Sequence, residues 1–196
     1  MQLFSQPLFF ALFLLFLSVE VITMAQPTKE EPIKSLYSRL HIGVELNPVP
    51  FIFKGLNANA WIGLKHTRLR VAHTRINMPT RFIEKELSYK KLIASALFVD
   101  FYRLENFNAF FMGMGVASCA EQFKLKMLPN ETYSLNSIFF GFNGGYTLNI
   151  WKHFSLTAFA GFYLRLTNTQ TRDYNGQPYK PNSLYPQIGL RLGVHF

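Results

Sequence analysis

Few residues of this 196-residue chain have types and spacings suited to covalent chemistry. The nearest is "HFS", where His153 and Ser155 stand two apart at a strand start. A serine nucleophile needs a base within hydrogen-bond reach and an acid that orients the base. No obvious acid stands by this histidine, so no catalytic residue is assigned. The five histidines (41, 66, 73, 153 and 195) lack metal-ligand spacing. No glycine-rich phosphate cradle occurs, and neither metal nor cofactor is expected. The single cysteine, Cys119, excludes a disulfide within the chain and any multi-cysteine metal site. "NET" at Asn130 matches a glycosylation acceptor but carries little weight.

What remains are charges inside otherwise apolar segments. Glu45, Asp100 and Glu121 can be set against Arg75, Arg165 and Arg191, with His41 and His73 nearby. Such a set needs a scaffold that buries all of them together, because buried charges require partners.

Composition narrows the scaffold. Hydrophobic residues make up 49% and charged residues 16%, with 21 phenylalanines, too apolar for a disordered chain. Past the N-terminus no run approaches the roughly 18 to 20 apolar residues of a spanning helix. The N-terminal segment holds an unbroken apolar run, Leu8 to Leu17, and reaches Thr23-Met24-Ala25. It reads as a signal peptide over residues 1–25, cleaved between Ala25 and Gln26. Its departures are the absence of a base before the run and Glu20 near the cleavage site. Removal takes away one acid and no base, so the formal charge rises from +9 to +10. Anionic lipid phosphate is the expected counter-charge, rather than nucleic acid.

Residues 26–37 read as a polar, flexible lead-in. Beyond them period-two alternation recurs in eight segments. The first sets Leu40, Ile42, Val44 and Leu46 against His41, Gly43, Glu45 and Asn47. The second sets Leu56, Ala58, Ala60, Ile62 and Leu64 against Asn57, Asn59, Trp61, Gly63 and Lys65. The third is less regular; its upper half sets Ala72, Thr74, Ile76 and Met78 against His73, Arg75 and Asn77. The fourth, from about Lys90 to Tyr102, opposes Leu97, Val99 and Phe101 to Ala96, Phe98 and Asp100. The fifth opposes Phe110, Met112, Met114 and Val116 to Gly113, Gly115, Cys119 and Glu121. The sixth opposes Ile138, Phe140 and Phe142 to Ser137, Gly141 and Asn143. The seventh opposes Leu156, Ala158, Ala160, Phe162 and Leu164 to Thr157, Phe159, Gly161, Tyr163 and Arg165. The last, "GLRLGVHF", opposes Leu190, Leu192, Val194 and Phe196 to Arg191, Gly193 and His195.

Connections alternate in length. "KHTR", "RLEN" and "NIWKH" are tight, whereas "NPVPFIFKG", "PTRFIEKELS", "KLKMLPNET" and "NTQTRDYNGQPYKPN" are long. Short turns at one end and long polar loops at the other fit an eight-stranded transmembrane barrel, apolar outside and filled inside by its polar face. The fold class predicted is all-β, an eight-stranded antiparallel up-and-down barrel over residues 38–196. Trp151 and Phe154, with Tyr102 and Phe107, are expected as an aromatic girdle at the short-turn end. The long loops carry Lys54, Arg81, Lys85, Lys90, Lys91, Lys124, Lys126, Arg172 and Lys180, interleaved with Phe82, Tyr133, Tyr174 and Tyr179 and diluted by Glu84, Glu86, Glu131 and Asp173.

The alternation, the loop lengths and the terminal Phe196 together resemble the small eight-stranded outer-membrane β-barrel family of Gram-negative bacteria. "GVELNPVPF", "WIGLKHTRLRVAHTRINMP" and "YPQIGLRLGVHF" are similar to barrels of this size from Bacteroidota, many without an assigned role. The resemblance implies an integral outer-membrane protein with periplasmic termini. It implies that Leu190, Leu192, Val194 and Phe196 form the signal read by the barrel-assembly machinery. The partners expected are that machinery, outer-membrane lipid and lipopolysaccharide, with no nucleic acid, and the barrel is expected to be monomeric. The role expected is structural or interaction-based, through four extracellular loops. The alternatives are a lipid A-modifying enzyme using His153 and Ser155, since some outer-membrane lipid A deacylases carry a His-x-Ser pair, or a narrow small-solute channel.

Overall fold

A computed structural model describes residues 40–196. The cleavage site at Ala25 and Gln26 and the lead-in at 26–37 lie outside the described residues. Ten strands follow in order: β1 (Leu40–Leu46), β2 (Leu56–Leu64), β3 (Thr67–Asn77), β4 (Leu87–Tyr102), β5 (Phe110–Leu125), β6 (Leu128–Trp151), β7 (Phe154–Arg165), β8 (Arg172–Tyr174), β9 (Gln177–Tyr179) and β10 (Leu184–His195). Eight of them close into an antiparallel ring in which each strand pairs with its neighbours in sequence and β10 returns to β1. The remaining two, β8 and β9, form a hairpin within the last long connection. Among the described residues no helix is long and apolar enough to cross a membrane.

Closure leaves no free edge, so backbone N–H and C=O groups pair around the ring. Val44 lies opposite Val194 and Leu46 opposite Leu192 at the seam. The last residue joins it: Ile42 N–H donates to the Phe196 carbonyl at 3.1 Å, and Phe196 N–H donates back at 2.9 Å.

One end of the barrel carries the connections 65–66, 103–109 and 152–153; the other carries 47–55, 78–86, 126–127 and 166–183. Two of these differ from expectation. The "RLEN" turn is a seven-residue loop, in which Phe107 takes a left-handed backbone (φ 56°). That conformation turns its ring into the barrel mouth against Tyr102 and Trp61. The "KLKMLPNET" loop is instead the tip of a tall β5–β6 hairpin, with a two-residue turn at Lys126–Met127 and Leu125 opposite Leu128. The strands continue because Phe123, Leu125 and Leu135 have something to bury against: with Leu87 and Tyr179 they form an apolar core in the cap above the ring.

Inward and outward residues alternate as the pleat requires, and the third strand corrects the expected phase. Cross-strand partners share a face, and Trp61 pairs with Arg70, Gly63 with Arg68 and Asn59 with Ala72. Arg68, Arg70, Ala72, Thr74 and Ile76 therefore point inward, while His73 and Arg75 point outward and are exposed. Tyr102 and Phe107 are also corrected: both are buried in the lumen rather than displayed as a girdle. Trp151 and Phe154 do lie exposed on the outside, packed edge to face at 5.6 Å.

The lumen is narrow enough that glycines are required where rings cross it. A Cβ on Gly43 would sit 2.6 Å from the Trp61 indole, and one on Gly141 would sit 2.7 Å from Tyr163 and 2.8 Å from Phe98.

Candidate functional site

The lumen holds two separate ion-pair networks. The one nearer the short-turn end contains Glu45, Arg68, Arg70, Asp100 and Arg191. Arg68 Nη1 donates to Glu45 Oε1 at 2.7 Å and its Nη2 to Asp100 Oδ2 at 3.1 Å. Arg70 grips the same carboxylate in a fork, Nε to Oδ2 at 2.8 Å and Nη2 to Oδ1 at 3.0 Å. Aromatic faces complete the solvation of the cations: Arg68 lies 4.9 Å over both Trp61 and Tyr102, and Arg70 lies 4.5 Å over Phe98. All five charged groups are buried.

This network carries three guanidinium groups and two carboxylates, and Arg191 is the member least served. Its Nη1 lies 3.1 Å from Glu45 Oε2, an ion pair outside hydrogen-bond geometry, and none of its nitrogens makes a hydrogen bond. Its principal neighbour is the Phe159 ring at 4.6 Å. Beside it a cavity of about 20 Å³ is lined by Arg70, Arg191, Asn143, Tyr163 and Gln187. That is room for one water molecule among polar partners.

The second network lies toward the long-loop end. Glu121 accepts from Arg165 Nη2 at 2.6 Å and pairs with Lys90 Nζ at 3.2 Å. Lys90 also donates to Glu84 Oε1 at 2.8 Å and to the Tyr185 hydroxyl at 2.9 Å. Arg165 donates to Ser137 Oγ and, at 3.1 Å, to Tyr185. Two cations face two carboxylates here, so this layer is balanced. Between the layers Phe98 and Tyr163 meet edge to face at 6.0 Å.

Of the residues predicted for the interior, Glu45, Asp100, Glu121, Arg165 and Arg191 lie in the networks. His41 is half-buried at the mouth against Phe107. Arg75 and His73 belong to the outer surface. Arg68, Arg70, Lys90 and Glu84 take part unforeseen. The signal for two of them was present in "RLRV", where Leu69 and Val71 alternate with Arg68 and Arg70. Lys90, expected in a polar loop, is buried on β4 instead.

The structure does not bring His153 and Ser155 together. Ser155 is buried on the lumen side. His153 lies in the turn, its Nδ1 3.0 Å from the His195 carbonyl and its ring 5.7 Å from Phe196. Cys119 is buried beside Ala117 and Phe139. Among the described residues no group of three or more potential metal ligands occurs.

The outer wall is apolar around most of the ring. Ile188, Leu190, Leu192 and Phe196 are exposed, as are Leu40, Ile42, Val44 and Leu46 beside them. At the long-loop end the cap joins β8–β9 to the β5–β6 hairpin through rings, Phe123 on Tyr179 at 4.8 Å and Tyr133 on Tyr174 at 4.7 Å. Tyr133 donates to Glu131, which also accepts from Asn175 at 2.8 Å, and the Tyr133–Glu131 hydrogen bond pushes the phenol of the half-buried Tyr133 up to about 12. Burial raises the Glu84 carboxyl, but the Lys90 ammonium and hydrogen bonds outweigh it and hold the group below its ordinary value.

No protein-family model matches the chain, and no curated protein does. Among solved structures it is similar to Neisserial surface protein A (NspA), an eight-stranded outer-membrane barrel, with a TM-score of 0.51 and 12% identity. The match covers 81% of this chain and 96% of that one. At that identity the likeness is one of fold.

Proposed function

We propose that this protein is an integral outer-membrane barrel of a Gram-negative envelope, with its long-loop end at the cell surface. In this reading it acts as a structural and interaction element, neither as an enzyme nor as a conduit. The observation that carries the reading is the inversion of the usual arrangement: an exposed apolar wall around a lumen of buried, paired charges. Water would solvate such a wall poorly, whereas acyl chains match it and a closed ring leaves them no unpaired backbone. A lumen filled by two ion-pair layers and a ring layer argues against steady ion flow. The surface-exposed contact region is then the cap built by β5, β6, β8 and β9 with the connections 47–55 and 78–86. The outer-membrane setting of NspA supports the same location for this chain.

Single cysteines at Gln170 and Lys152, labelled in intact cells with a membrane-impermeant maleimide, test the orientation. Label at Gln170→Cys alone is expected, and label at Lys152→Cys alone would reverse it. Planar-bilayer recording tests the closed lumen; steady single-channel conductance from the purified protein would sink that part of the reading.

A further inference from the structure

The outward face of β3, β4 and β5 departs from the rest of the wall. Along β7 and β10 the outward residues stay apolar from Phe154 to Leu164 and from Leu184 to Val194. On β3 the outward row passes from Leu69 and Val71 to His73 and Arg75. On β4 it ends at Lys91 and Tyr89, and on β5 at Gln122 and Lys124.

Register fixes how these cations stand to one another. Arg75 lies opposite Ile93, so Lys91, two residues nearer the long-loop end, is its diagonal neighbour. Lys91 lies opposite Gln122, which makes Lys124 the next diagonal neighbour in the same direction. Arg75, Lys91 and Lys124 therefore climb the outer wall in steps of about 7–8 Å. No Asp or Glu points outward from these three strands. Among the described residues none of the three charged groups has an ion pair or a hydrogen bond, the Ser88 hydroxyl reaching only the Lys124 carbonyl. His73 meets only Ser95 Oγ, at 3.1 Å.

Three uncompensated cations above an apolar strip, with the polar row His73, Ser95 and Ser118 between them, call for a ligand with negative charge over hydrocarbon. The arginine fork suits a phosphate bidentately, and the lysines add point charges. We infer that the β3–β5 wall binds the phosphate headgroup of an acylated outer-leaflet glycolipid, lipopolysaccharide. Its acyl chains lie over Leu69, Val71 and Leu97, and its phosphates lie against Arg75, Lys91 and Lys124. The inference rests on the long-loop end facing outward, as proposed above.

The full chain, purified in a non-ionic detergent, is titrated with lipopolysaccharide, with enzymatically dephosphorylated lipopolysaccharide and with inorganic phosphate, and the thermal midpoint is followed. Lipopolysaccharide alone is expected to raise the midpoint. The R75Q/K91Q pair is expected to weaken that binding by about tenfold or more, as loss of charge-assisted hydrogen bonds does. R103Q/K152Q, which removes two cations at the opposite end of the barrel, serves as the charge-matched control and is expected to change nothing. Equal response to the dephosphorylated lipid, to inorganic phosphate alone, or from R75Q/K91Q would overturn the site. Labelling of Gln170→Cys in intact cells separates the two levels: surface label with phosphate-indifferent binding defeats the site and leaves the orientation standing, whereas absent surface label defeats the orientation itself.

Discussion

Phe196 and Ile42 exchange both backbone hydrogen bonds across the seam, so the final residue of the chain is a rung of the ring. Its side chain is exposed on the apolar wall, continuing the outward row of Leu190, Leu192 and Val194. Deleting Phe196 removes two rungs, each worth about 0.5–1.5 kcal/mol net, at the point where the ring must close. A lower heat-modifiable fraction on unboiled gels and a lower envelope level are expected. Phe196→Leu keeps the rungs and the apolar contact, so reduced assembly of that variant would point to recognition of the aromatic ring itself. Wild-type assembly of both variants would count against any role for the terminus.

Asp100 is held by two arginines: Arg70, which among the described residues pairs with no other carboxylate, and Arg68, which also pairs with Glu45. Asp100→Ala strands Arg70 in the lumen and leaves Arg68 with Glu45 alone, and removing one partner of a buried pair costs about 3–5 kcal/mol. Urea unfolding in detergent should register a loss of that order. The paired substitution D100L/R70M removes a charge of each sign and should recover part of it. A single variant as stable as wild type would mean that water reaches the lumen freely.

Glu84 gives the cap a pH dependence of defined sign. Its carboxyl titrates below the ordinary 4.5 in the folded chain, so ionised Glu84 stabilises the cap at any pH above that ordinary value. The contribution fades as pH falls through the lower folded value. Protection of the Leu87 amide, which donates to the Glu84 carbonyl at 3.0 Å, measured against the intrinsic exchange rate at each pH, is expected to fall as pH drops below that ordinary value. Glu84→Gln should exchange faster than wild type at neutral pH and lose most of that acid dependence. Parallel profiles for the two proteins would assign the acid lability to another group.

Gly141 marks where the ring layer crosses the lumen. Gly141→Val would drive methyl groups into space held by Tyr163 and Phe98, and overpacking of that kind costs about 1–3 kcal/mol. Gly176, whose φ of 78° sits in an open turn with nothing near its Cβ position, provides the contrast. Gly176→Ala should lose only the smaller backbone cost of a positive φ. A larger loss at Gly176 than at Gly141 would contradict the close packing described for the lumen.

Alternation was the legible part of this sequence, and where it was regular, as on β7 and β10, it assigned every residue to a side. It misled on β3 because Ala72, Thr74, Ile76 and Met78 look like an outward row although His73 and Arg75 take that side. Phase there is decided by ladder partners on β2 and β4, which lie outside any local window. The tall hairpin was illegible for a related reason. Residues 124–132 are polar enough to read as a loop, and the apolar core that keeps them extended draws Leu87 from the start of β4 and Tyr179 from β9. Lys90 was misjudged because a lysine near a loop is ordinarily solvated, and its two carboxylate partners come from different segments.

The two ion-pair layers share no member, and a plane of aromatic rings separates them. The barrel is thus filled like a stack of sealed floors rather than a single shaft: a charge lost from one floor leaves the salt links of the other intact. Sequence drift can then rewrite one storey at a time, substituting partners within a layer while the layer beyond continues to keep the shaft shut.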